Sequence, residues 1–141
     1  MTPENGLVIR YSFLWQREFE RGEESERKGR PVCVQMLMIQ GPDMPQPVVL
    51  LPVTSQPSTS ADDALLIPQL ELRRVGLRDP AWLIVNHLNF ERDFQSSPWI
   101  EEPQPLGRFS TAFAETIRAA VRKAIRAKRM SLVPRDEGVK R

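Results

Sequence analysis

A mainly β chain, built as a small barrel of about five strands with a C-terminal α-helix, is the fold class that three observations predict. Short apolar runs alternate with turns rich in Pro and Gly, the pattern of consecutive short strands. Thirteen prolines in 141 residues favour rigid loops around a sheet over a helical bundle. Near residue 109 the apolar period changes from strand-like to four, which signals one amphipathic helix.

The first strand is read over Gly6 to Trp15, GLVIRYSFLW, which is rich in β-formers. Glu18 to Gly29 is densely charged without apolar periodicity, and is read as a long loop of the kind that often carries function. Pro31 to Ile39 and Val48 to Val53 are read as two neighbouring buried strands, joined by the turn GPDMPQP. Gln56 to Asp63 is polar and small, a surface loop. Ala64 to Leu72 is read as strand four, with Pro68 placing its middle at an edge or bend. Arg73 to Pro80 turns around Gly76, and Ala81 to Leu88 is strand five. Phe94 to Gly107 is a Pro-rich and acidic linker. Phe109, Phe113, Ile117, Val121 and Ile125 then recur every four residues, which predicts a helix over 109–130 started by Gly107 or Ser110. One domain is expected over residues 1–130, with 131–141 as a basic disordered tail.

Composition sets limits. The chain is 40% hydrophobic and 27% charged, which is globular rather than disordered. The single Cys33 lies in an apolar run and reads as a buried inert thiol; with one histidine, a dedicated zinc site is not expected. No run of 18 apolar residues and no leader pattern is present, so a soluble cytoplasmic protein with no membrane role and no cofactor is expected. Net charge is +2, unevenly placed: residues 118–141 carry nine Lys/Arg and two Asp/Glu, residues 1–117 eleven and sixteen. Nucleic-acid affinity comes from phosphate contacts, so a nucleic-acid site in the acidic body has to be a local cluster of arginines. Trp15, Trp82 and Trp99 read as core or interface residues, Trp99 being the one most open to exposure.

Arg30 opens the first of the two buried strands and Thr54 ends the second. Antiparallel pairing brings these ends to one edge of the sheet, so a guanidinium and a hydroxyl face a common site. That pair suits a phosphodiester, gripped at two oxygens by the guanidinium while the hydroxyl donates to one.

Arg30-Pro31 before an apolar strand, and an apolar strand ending in Pro52-Val53-Thr54, resemble the PemK/MazF family of toxin endoribonucleases. Ile67-Pro68, Arg73-Arg74-Val75-Gly76-Leu77, Trp82 to Val85 and Asn86 to Asn89 resemble its PemK-like growth-inhibitor branch, in the same order, and the likeness covers roughly residues 6–110. The resemblance implies an SH3-like barrel, a homodimer, and metal-independent, sequence-specific cleavage of single-stranded RNA to a 2′,3′-cyclic phosphate by the toxin of a type II toxin–antitoxin pair. It also implies an antitoxin partner whose acidic, disordered segment fills the groove. Arg30 and Thr54 match the family's catalytic Arg and Thr. Glu26, with Glu24 beside it, stands where the family has an acidic loop residue and is the expected base. Ser55 is a second donor beside Thr54. Arg73 and Arg74 are candidates for RNA phosphates, Asn86 and Asn89 for base edges, and His87 for substrate contact or for the base. The alternative class is a non-catalytic SH3-like barrel that binds protein or nucleic acid, either an inactive relative or a toxin directed at a topoisomerase.

Overall fold

Apolar side chains dominate the central strands on both faces, and the observed sheet is accordingly buried on both. The computed structural model describes residues 1–22, 29–38, 40–41, 43–57 and 63–135. In chain order the elements are β1 (Leu7–Tyr11), α1 (Gln16–Glu20), β2 (Arg30–Met36), β3 (Val48–Thr54), β4 (Ala64–Leu66), α2 (Gln69–Val75), β5 (Trp82–Ile84), β6 (His87–Glu91), β7 (Gly107–Arg108), α3 (Thr111–Arg126) and β8 (Ser131–Pro134). A single 3-10 turn covers Phe94–Ser96. The strands form one eight-stranded sheet in the order β4-β5-β3-β2-β1-β7, with β6 beside β3 and β8 beside β6. All pairings are antiparallel except β6 with β8.

The chain is mainly β, but the expected five-stranded barrel is corrected to an open sheet of eight strands. The cause lies in β3. Its first residues, Val48 to Leu50, pair with β6, and its last, Val53 and Thr54, pair with β5. One edge of a single strand is thus shared between two short partners. The strands branch there instead of closing a ring.

Alternation sorts the central strands into two cores. Val8, Cys33, Val49, Leu51 and Val53 face the helices, where they meet Leu72, Val75, Phe109, Phe113, Ile117 and Val121. Leu7, Ile9, Tyr11, Val32, Val34, Val48 and Leu50 face the other way, against Phe13, Phe94, Trp15 and Trp99. This is why β2 and β3 read as continuous apolar runs rather than as alternating ones. Cys33 is fully buried, and burial pushes its thiol pKa up. Ser110 caps α3 by accepting from the Phe113 amide at 3.1 Å, and donates its hydroxyl to Glu71 at 2.7 Å, which ties α3 to α2. A Cβ on Gly107 would lie 2.3 Å from the Arg74 carbonyl oxygen, so glycine is needed where β7 passes the end of α2.

Three further expectations are corrected. Strand four stops at Leu66; Pro68 becomes the N-cap of α2, and Leu72 and Val75, three apart, turn inward while Gly76 ends the helix in the left-handed region at φ 67°. Strand five is two strands: Trp82–Ile84 pairs with β3 and β4, His87–Glu91 pairs with β3 and β8, and Val85 and Asn86 lie between them. The expected tail at 131 begins instead with β8, in register with β6 from His87 opposite Ser131 to Phe90 opposite Pro134. The helix is therefore followed by a strand, and residues 136–141 lie outside the described residues. No described helix is long and apolar enough to cross a membrane.

Candidate functional site

The register of β2 and β3 runs from Met36 opposite Val48 to Val32 opposite Pro52. Arg30 and Thr54 each lie two residues beyond that last pair, at the same end of the two strands. Both line one open cavity of about 470 Å³, within the size range of small-molecule sites. The Arg30 Nη1 donates to the Val53 carbonyl at 3.3 Å, which anchors the guanidinium at the end of β3. The Thr54 Oγ1 accepts from the Gln56 amide at 3.2 Å, so the turn after β3 fixes the hydroxyl oxygen.

Trp15 is the central wall of the cavity. The Arg30 guanidinium lies over its ring at 5.1 Å and His87 meets it edge-on, with centroids 5.9 Å apart. Trp15 also starts α1, its amide donating to the Glu18 carboxylate at 3.0 Å. That short helix brings Gln16, Arg17 and Glu20 to the rim. Charged groups on the lining are Arg17, Arg30 and Glu20, and the His87 imidazole lies among them. An anion entering here meets the half-buried Arg30 and the exposed Arg17 guanidinium groups, with the exposed Glu20 carboxylate on the same lining.

His87 opens β6 and stands opposite Ser131 of β8. Its pKa is lowered from 6.5, chiefly by burial; the Asp63 carboxylate pulls the other way and the Arg17 cation adds to the lowering. The imidazole is therefore neutral at pH 7 and able to accept a proton. Its Nδ1 is buried without a hydrogen-bond partner among the described residues. Asp63 in turn receives Arg129 at 3.0 and 3.3 Å through the guanidinium Nε.

Other expected site residues stand elsewhere. Ser55 is exposed and does not line the cavity. Arg73 and Arg74 are exposed on the last turn of α2, away from the cavity, where Arg74 approaches Glu71 at 3.8 Å. Asn89 is fully buried: its amide donates to Leu14 O at 2.7 Å and its Oδ1 accepts from Leu14 N at 2.9 Å. It ties β6 to the chain after β1 and cannot reach a base. Asn86 is buried, with its Oδ1 unsatisfied among the described residues, and does not line the cavity. Glu26 and Glu24 lie outside the described residues.

Sequence reading missed Trp15, Gln16, Arg17, Glu20, Gln56 and Ser131 as lining residues. The S/T-free start at Trp15 hid α1, although Glu18 three residues later was a usable signal. Trp99 is also settled: it packs in the second core beneath the Arg135 guanidinium, 4.0 Å from its ring centroid. Compared with protein-family models, curated proteins and solved structures, the chain matches none.

Proposed function

We propose that the protein is a cytoplasmic endoribonuclease that cleaves single-stranded RNA without a metal or other cofactor, the toxin of a type II toxin–antitoxin pair. One observation carries this: Arg30, Thr54 and His87, distant in sequence, line a single cavity that also holds Arg17. The chemistry follows from the groups. Neutral His87 takes the proton of a ribose 2′-OH, and the 2′-oxygen attacks phosphorus. Charge accumulates on the phosphorane oxygens, where Arg30 and Arg17 offset it and the Thr54 hydroxyl donates. The bond from phosphorus to the 5′-oxygen breaks, and solvent entering the open cavity protonates the leaving oxygen. Products are a 2′,3′-cyclic phosphate and a 5′-hydroxyl.

The PemK/MazF resemblance supports the same reading, with an SH3-like arrangement of β1, β2 and β3, a homodimer, and an acidic antitoxin segment seated on the cationic cavity. It favours Glu26 as base; the cavity geometry favours His87. Cleavage of a mixed-sequence RNA in EDTA, with the termini analysed, tests the proposal. Fragments ending in cyclic phosphate, lost in Arg30→Ala, are expected. Binding of RNA with no cleavage at all would return the chain to the non-catalytic class.

A further inference from the structure

Beyond the cavity, the strongest unassigned feature is the outer face of α3. Its buried side is Phe113, Ala114, Ile117, Val121 and Ala124. Arg122 and Arg126, four residues apart and so about 6 Å apart along the axis, run on the outer face with Lys123 beside them, and half-buried Arg118 flanks them one turn earlier. Arg122, Lys123 and Arg126 are exposed. Among the described residues, none of these four cations is held in an ion pair or hydrogen bond. From Arg118 to Arg135 the chain contains no acid. The ridge therefore keeps its charge for something outside the fold.

Its direction matters. The helix ends at Arg126, and Lys128 turns the chain in the left-handed region at φ 58°. Arg129 is then fixed on Asp63, the carboxylate that acts on His87. Two residues later Ser131 lines the cavity, its amide donating to Asn86 O at 2.8 Å. Four residues lie between Arg126 and Ser131, so the chain spans at most about 17 Å there. The cationic ridge thus leads to the wall of the cavity that carries His87.

We propose that the outer face of α3 is a phosphate track for RNA: it binds the backbone of the strand that continues beyond the scissile phosphate. The inference rests on the ribonuclease reading of the cavity and names where a long substrate gains its affinity. Contacts are to phosphate, so they carry charge and no base identity. The helix supplies a row of cations on a rigid support, which the acidic remainder of the body does not.

The test uses the full chain with Arg122, Lys123 and Arg126 all changed to Gln, a good helix former that keeps the exposed face polar. The first probe is a 20-nucleotide 2′-O-methyl RNA, which lacks the attacking hydroxyl and reports binding alone. Binding weakened about tenfold at 50 mM salt is expected, with the log–log salt slope reduced by about 2, as for three lost single-strand phosphate contacts. A variant with Arg122→Lys and Arg126→Lys keeps wild-type binding and slope, because only charge is read. On cleavable RNA, the triple variant loses kcat/KM on the 20-mer and keeps it on a tetranucleotide too short to reach the ridge. Unchanged 20-mer binding and slope in the triple variant overturns the proposal. So does intact RNA binding together with lost binding of polyglutamate, which assigns the ridge to an acidic protein. If wild-type protein binds the 2′-O-methyl RNA through the ridge but cleaves nothing, the track stands and the ribonuclease reading falls.

Discussion

Two arginine–tryptophan pairs in this molecule use the same chemistry for opposite ends. Arg30 lies over Trp15 at 5.1 Å, half-buried on the wall of an open cavity. Arg135 lies over Trp99 at 4.0 Å, with only 2% of its surface exposed. Around Arg135 the polar groups are enclosed within the fold. Glu91, also buried, accepts from the Tyr11 hydroxyl at 2.6 Å and from Ser97 at 2.5 Å, and both Glu91 and Arg135 act on Tyr11. Burial, then Glu91, pushes the Tyr11 pKa up, so the phenol stays protonated and keeps donating. This cluster joins β1, β6, the linker and the end of β8. It locks the fold. The Arg30 side chain instead shares its space with Arg17, Thr54 and His87, and that cavity opens to solvent. The difference lies in whether water and ligand can reach the guanidinium, since desolvated charge must be paired within the protein and accessible charge can meet an anion.

The sharpest way to break the comparison is to truncate each arginine. Arg135→Ala leaves the buried Glu91 without the cluster's cation, and a stability loss of about 3–5 kcal/mol is expected by chemical denaturation. Arg30→Ala should lower the RNA cleavage rate by a factor equivalent to about 3–4 kcal/mol of barrier, by analogy with other deleted anion-stabilising donors, while its unfolding midpoint stays close to wild type. Reversal of the two outcomes, with Arg30 the stability residue, would refute the division of labour.

His87 sharpens the cavity side. His87→Gln should cut kcat by about 10²-fold, the low end for a lost general base. In the wild type, the acid limb of kcat/KM should fall at a pH below 6.5, because burial lowers the imidazole pKa. The same shift has a stability sign. The folded state holds the proton less tightly than the unfolded chain, so the stabilising contribution is present above pH 6.5 and lost as pH falls through the lower folded pKa. Stability of the Gln variant should therefore depend less on pH across that window. An acid limb near pH 4 that survives in the variant would transfer the role to a carboxylate such as Glu26.

The smallest effect expected is at Thr54. Thr54→Val removes one neutral donor and should cost about 1 kcal/mol of the barrier, read as a several-fold slower cleavage with unchanged folding. A loss as large as that of Arg30→Ala would make the hydroxyl more than a supporting donor.

Local pattern was enough wherever one physical cause dominated. Apolar runs bounded by Pro and Gly placed β2 and β3, and an unbroken four-residue period placed α3. Pro68 misled, because the residues after it bury as a helix only once Leu72 and Val75 find the core under α3. β8 was hidden by its brevity, since a four-residue strand is stable here only through its pairing with β6 and the Arg135 cluster beyond it.

The candidate site divides in the same way. Residue type and turn position, together with the family resemblance, singled out Arg30 and Thr54, because a register set by two adjacent apolar strands leaves their ends little choice. Nothing local distinguished Asn89, which is buried on Leu14, from His87, two positions earlier on the same strand and open to the cavity. Alternation could not separate them, since residues two apart share a face of a strand. Only the packing of α1 and β8 around β6 decided which of the two meets solvent. The sequence by itself determined the paired strand ends and the cationic helix, which follow from short-range periodicity and charge. The tertiary structure decided that Trp15, Arg17 and His87 join Arg30 at one cavity, because those contacts depend on segments far apart in the chain.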